Sequence, residues 1–176
     1  LEKYQEYFEK AVLSSPMMEI NTGNYSENMA YLISKFFIYV GKGNNYIFGQ
    51  GPFNGEYNLE ESATSNQYRY SRHLNALRAN EVLQRNGGSF KWINEAIKAT
   101  RKLKKEENIK KIQIPILLFQ SGKDTFVNDE GHNTFRKYAK NCKFVRFDNG
   151  KHELYFENDD ILEPYLKEIV KFYNEI

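Results

Sequence analysis

Gln120 to Glu157 reads QSGKDTFVNDEGHNTFRKYAKNCKFVRFDNGKHELYFE. It follows directly on an apolar run, Ile114-Pro115-Ile116-Leu117-Leu118-Phe119, which ends in the turn Ser121-Gly122-Lys123-Asp124. A helical pattern comes next, then a second strand-like run, Lys143-Phe144-Val145-Arg146-Phe147, closed by Asp148-Asn149-Gly150-Lys151-His152-Glu153. Two strands separated by a helix are expected to be parallel with a right-handed crossover. Asp124 and His152 would then stand just past the C-terminal ends of neighbouring strands. That edge of an open parallel sheet is where ligands and reacting groups gather. A carboxylate that orients an imidazole is two members of a Ser-His-Asp relay.

Working outward, Asp159 or Asp160 opens a final helix over Ile161–Glu175, with Ile161, Leu162, Tyr165, Leu166, Ile169, Val170 and Phe172 on its apolar face. Upstream, Ser89 is placed to cap a helix over Phe90–Glu107 whose inner stripe is Trp92, Ile93, Ala96, Ile97, Ala99, Thr100 and Leu103. The cations at its end, Arg101-Lys102-Leu103-Lys104-Lys105, suit a helix C-terminus and read as a solvated face. Ser65–Gln84 reads as another helix, stopped by Asn86-Gly87-Gly88-Ser89. Gly41–Asn66 holds five of the eleven glycines and reads as a long loop. Asn28–Val40 is a helix that is apolar nearly all round, which suits burial or contact with an apolar partner. Lys10–Ser15 is a short strand closed by Pro16, and Leu1–Glu9 reads as the last turns of a helix. The order is that of the closing half of an α/β fold, so the chain is expected to continue something that precedes it.

Composition narrows the function. The 176 residues carry a net charge of +2 with both signs interspersed, so no basic stripe argues for nucleic acid. One cysteine, Cys142, excludes an internal disulfide and fits a reducing, cytoplasmic setting. No apolar run approaches the roughly 18 residues of a membrane span. The three histidines are too scattered to suggest a metal cluster, and no cofactor is called for. His73 reads as a solvated helix residue, and His132 is given no role. Asp148 is a competing acid whose expected place is a strand-end turn. Ser14 and Ser15 lack flanking glycines, and no Gly-x-Ser-x-Gly occurs in the chain, so neither reads as a nucleophile. Nothing in the residues sets an oligomeric state.

The strings ILLFQSGKDTFV and FDNGKHELYFENDD, followed by a last helix, resemble the end of the α/β-hydrolase superfamily. More narrowly they resemble its lysophospholipase L2 and monoacylglycerol lipase branch, also filed with serine aminopeptidase-like hydrolases. The acid of that branch follows a glycine, as in Gly122-Lys123-Asp124, and its histidine sits in Gly-x-His-Glu, as in Gly150-Lys151-His152-Glu153. FGQGPF, Thr64-Ser65 with Arg69-Tyr70, and Gly87-Gly88-Ser89-Phe90-Lys91-Trp92 resemble pieces of its cap and the helix after it.

The resemblance implies the C-terminal part of an α/β-hydrolase with a mostly helical cap. It divides the chain into residues 1–18, the end of the first half of the core; 19–87, the cap; and 88–176, the second half of the core. It implies Asp124 as acid and His152 as base. The implied substrate is a single-acyl-chain lipid or a small ester, with peripheral membrane contact through the apolar helix. The nucleophile and first oxyanion-hole loop of that family would lie before Leu1, so these residues alone are expected not to turn over substrate. A peptidase, epoxide hydrolase or dehalogenase on the same scaffold, or a non-catalytic remnant that binds a lipid or a partner protein, are the alternatives.

Overall fold

The computed structural model describes residues 1–175. Three strands, β1 (Ala11–Ser14), β2 (Ile116–Ser121) and β3 (Cys142–Phe147), form a parallel sheet in the order β1-β2-β3. β2 lies in the middle and is buried along its whole length. Its residues alternate between two apolar layers, as the period of a strand requires. Ile116 and Leu118 face Met18, Ile109, Ile112 and Phe135. Leu117 and Phe119 face Leu154, Ile161, Tyr165 and Phe172. Each such side chain removed from water contributes about 1.5–3 kcal/mol. A strand apolar on both faces is the mark of a sheet covered on both sides.

Helices supply the covering. α1 (Glu27–Tyr39), α2 (Gln67–Ala79), α3 (Phe90–Leu103) and the short α4 (Glu106–Ile109) lie between β1 and β2 in sequence. α5 (Asp129–Tyr138) links β2 to β3, and α6 (Asp159–Asn174) follows β3. α1 starts at Ser26, α2 at Asn66 and α3 at Ser89, each side chain accepting a backbone N–H of the first turn. α1 and α3 share a separate small core of Ile20, Ile93, Ala96 and Ile97, joined by Ala30, Tyr31 and Ile47.

Several local expectations are corrected. Leu1–Glu9 holds only a single 3-10 turn, Gln5–Tyr7. The Gln5 side chain is drawn off to the backbone of Lys111 and Gln113, 2.7 Å each, and Tyr4 and Phe8 remain exposed. A helix this short does not persist without a packed face. The expected Ser65–Gln84 helix ends at Ala79, where Asn80 leaves the helical region to cap the next 3-10 turn. The Phe90–Glu107 helix breaks at Lys104–Lys105, because Lys105 adopts an extended conformation.

Two side-chain placements also differ. Trp92 and Ala99 face outward, while Asn94 takes an inner position and donates to Ser34 Oγ at 2.9 Å. Arg101 and Lys104 are not simply solvated. Arg101 pairs with Glu27 at 2.7 Å, and Lys104 pairs with Glu19 at 2.6 Å and Glu27 at 3.3 Å, tying α3 to α1 and to the loop after β1. Net, the Glu27 carboxyl is held below its usual range: burial works against this, and the Arg101 and Lys104 contacts outweigh it.

Candidate active site at the strand ends

The register of the sheet sets the site. Ser121, the last residue of β2, lies opposite Phe147, the last residue of β3, so the two following loops leave the sheet at the same level. Gly122 N–H donates to the Phe147 carbonyl at 2.8 Å, and Lys123 N–H to the Gly150 carbonyl at 2.9 Å. At Gly122 a side chain has no room: a Cβ there would lie 2.5–2.8 Å from backbone atoms of Asp148. Only glycine lets the two loops approach this closely.

Asp124 and His152, 28 positions apart, are thereby brought together. His152 Nδ1 lies 2.7 Å from Asp124 Oδ2. The other carboxylate oxygen accepts the backbone N–H groups of Phe126 at 2.8 Å and Val127 at 3.1 Å. The Asp124 side chain is 2% exposed and that of His152 is 28% exposed. Burial pushes the Asp124 carboxyl upward, but the His152 hydrogen bond and the two backbone donors outweigh it, and the net position is below the ordinary aspartate value. An ionised carboxylate only accepts, so Nδ1 carries the ring proton and Nε2 is left as the basic nitrogen. The Phe126 ring covers one side of the imidazole, with centroids 5.1 Å apart. Such a pair takes up a proton at Nε2 while the acid stabilises the imidazolium.

The other candidates are elsewhere. Asp148 pairs with Arg146 at 2.7 Å, in the strand-end turn expected of it. His73 is exposed on α2 against Phe156. Ser15 is buried, with φ 39°, in the left-handed region that serine rarely adopts. Its hydroxyl lies 2.6 Å from that of Ser121. Among the described residues, no hydroxyl hydrogen-bonds His152, and no group of three or more His, Cys, Asp or Glu is arranged to hold a metal ion. Burial pushes the Cys142 thiol up to about 11, which leaves it inert at neutral pH.

Sequence reasoning passed over two buried polar residues. His132 is 1% exposed; Nε2–H donates to the Pro16 carbonyl at 2.7 Å, and Nδ1 faces the Gln120 amide at 3.4 Å. It pins the turn after β1 to α5, and burial lowers its pKa, against the Pro16 carbonyl. Glu157 is fully buried beside the His152 loop. Nothing in the sequence marks Glu157, because its donor Ser65 lies 92 positions away.

Two cavities are lined in part by chain neighbours of the pair. One, of about 400 Å³, has an apolar side of Tyr25, Ala30, Ile33, Ile47, Phe48, Phe90 and Ile93 and a polar side of Asn21, Thr22, Asn24, Gln50 and Thr125, the residue after Asp124. The other, of about 660 Å³, is more polar and includes Tyr70, Arg85, Phe126, Glu153 and Phe156. Outside them, α1 exposes Met29, Leu32, Phe36 and Tyr39. No helix among the described residues is long and apolar enough to cross a membrane.

The sequence profile of the family described as "Serine aminopeptidase, S33" matches residues 1–159. A protein of Haemophilus influenzae described as "Probable lysophospholipase L2" is 30% identical over 177 residues, covering 99% of this chain and 54% of that protein. The chain thus spans about half the length of that curated relative. Among solved structures, the monoacylglycerol lipase of Paleococcus ferrophilus superposes with a TM-score of 0.69 at 16% identity, over 97% of this chain and 60% of that one. A soluble variant of the monoglyceride lipase of Saccharomyces cerevisiae, solved with a substrate analogue, gives 0.62 at 16% identity, over 92% and 54%. At such identities these two establish the shared fold.

Proposed function

Since the chain belongs to the serine aminopeptidase family of α/β-hydrolases, we propose that the whole protein is a serine ester hydrolase of single-acyl-chain lipids, of the lysophospholipase or monoacylglycerol lipase type. The observation that carries this reading is the 2.7 Å hydrogen bond between Asp124 and His152 at the C-terminal edge of a parallel sheet. His152 Nε2 takes the proton of a serine hydroxyl as its oxygen attacks the ester carbonyl. The same proton then passes to the departing alcohol, a glycerol or glycerophospho group, leaving the acyl group on the serine. Water, deprotonated by His152, releases the fatty acid. Asp124 holds the tautomer and stabilises the imidazolium throughout.

The serine belongs to a Gly-x-Ser-x-Gly segment outside these 176 residues, and the chain by itself is inactive. Residues 19–87 form the cap. The cavity walled by Ala30 and Ile33 of α1 takes the acyl chain, and the more polar cavity beside Phe126 and Glu153 takes the head group. The lysophospholipase and lipase names of the relatives agree with this choice of substrate. The exposed apolar face of α1 suits a cytoplasmic protein that meets its substrate at a membrane surface.

The natural protein, assayed on a monoacylglycerol, a lysophospholipid and a soluble p-nitrophenyl ester, should hydrolyse all three. His152→Ala should cut kcat on the order of 10⁶-fold. Hydrolysis at near wild-type rate in that variant would rule the reading out.

A further inference from the structure

Glu157 is 0% exposed and stands just after the 3-10 turn Leu154–Phe156 that follows His152. Three backbone N–H groups converge on its carboxylate. Oε1 accepts Lys151 at 2.9 Å, both oxygens accept Ser65 at 3.0 and 3.1 Å, and Oε2 accepts Asn158 at 3.3 Å. Among the described residues, no lysine or arginine pairs with it, so backbone dipoles alone compensate the charge. Lys151 is the residue before His152, and Ser65 belongs to the segment between β1 and β2, 92 positions away.

The same two stretches are joined repeatedly. Lys151 Nζ donates to the carbonyls of Leu59 at 2.8 Å and Glu60 at 2.6 Å. Glu153 N–H donates to the Ala63 carbonyl at 2.9 Å, and Thr64 Oγ1 to the Phe156 carbonyl at 2.7 Å. Asn66 donates to Asn158 at 2.9 Å, and Arg69 pairs with Asp159.

We propose that Glu157 is a positioning residue: it fixes the His152 loop against Asp124 and joins residues 59–66 to that loop as one rigid unit. This rests on His152 being the general base. A carboxylate suits the task because it accepts at every lone pair. A glutamine can satisfy Lys151 and Ser65 through its oxygen but must turn an N–H₂ toward a donor. The segment that covers the substrate and the group that moves the proton then share a single buried anchor.

The test uses the natural full-length protein with Glu157→Gln, Glu157→Ala and, from the other side of the contact, Thr64→Val. The kcat on a soluble p-nitrophenyl ester is normalised to active sites titrated with a fluorophosphonate, which removes unfolded enzyme from the comparison. A misplacement on the order of 1 Å costs about 10²-fold, so Glu157→Ala should approach that loss, and Glu157→Gln should lose about 10-fold, with KM held. Hydrogen exchange at 59–66 and at 150–158 should quicken together in Glu157→Gln and Thr64→Val, and elsewhere stay unchanged.

Wild-type kcat per titrated site in Glu157→Gln, or exchange that quickens in one stretch only, would overturn the proposal. If Glu157→Ala does not fold, the Gln and Thr64→Val variants decide. An inactive natural protein would instead remove the function reading, and the exchange data would still decide whether Glu157 ties the two stretches.

Discussion

The two loops at the strand ends and the helical segment between β1 and β2 are built in opposite ways. In the loops, and in the helix α5 that continues the first of them, polar groups are buried and answered. Asp124 has three donors, Glu157 three, and His132 a partner at each ring nitrogen. In the helical segment, apolar groups are exposed: Phe36 is 60% and Tyr39 88% open to solvent, and its own core is a small cluster. Under the proposed function, the contrast separates two tasks. A proton relay needs geometry held by many short hydrogen bonds, and a lipid-handling surface needs apolar area that water does not already hold back.

On the helical side the largest effect comes from α1. Leu32→Ser with Phe36→Ser removes two exposed apolar side chains. At about 1.5 kcal/mol or more each when buried in lipid, vesicle binding should fall by roughly 10²-fold. Thermal stability and turnover of a soluble ester should hold. Unchanged partition in a vesicle sedimentation assay would remove the membrane-facing role.

On the loop side, Gly122→Ala forces a methyl group against the Asp148 backbone and should cost about 1–3 kcal/mol by denaturant unfolding. The matched change in the helical segment, Gly51→Ala, meets nothing within 4 Å and should be close to neutral. Equal costs at both positions would erase the distinction.

The smallest effect is in pH dependence. His132 is held neutral by burial, so its folded pKa lies below the ordinary 6.5. The stability tied to its neutral form is complete above 6.5 and is lost as pH falls from there through the folded value. Asp124 behaves alike in a lower window: its contribution is complete above 3.8 and is lost as pH falls through its lowered value. Melting temperatures should decline first below 6.5, and His132→Gln should flatten that first decline while leaving the one below 3.8.

What could be read from the residues was whatever depends on neighbours in sequence. β2, β3 and α6 follow from apolar runs bounded by turns, and Asp124 and His152 from their place just past two strands. What escaped depends on contacts between distant parts of the chain. Glu157 draws a donor from Ser65, 92 positions away in the chain. His132, near a helix start, had no visible partner until Pro16 came beside it. The break at Lys104–Lys105 was hidden because the cation run suits a helix end, while Lys104 in fact reaches back to Glu19 and Glu27.

Whether Asp124 and His152 act as one unit is decided by a double-mutant cycle on the natural protein. The kcat for ester hydrolysis is measured for Asp124→Asn, His152→Ala and the two combined. Groups that act together are strongly non-additive. The double variant should lose no more than His152→Ala alone. A loss in the double variant equal to the product of the two single losses would mean that the two residues act independently.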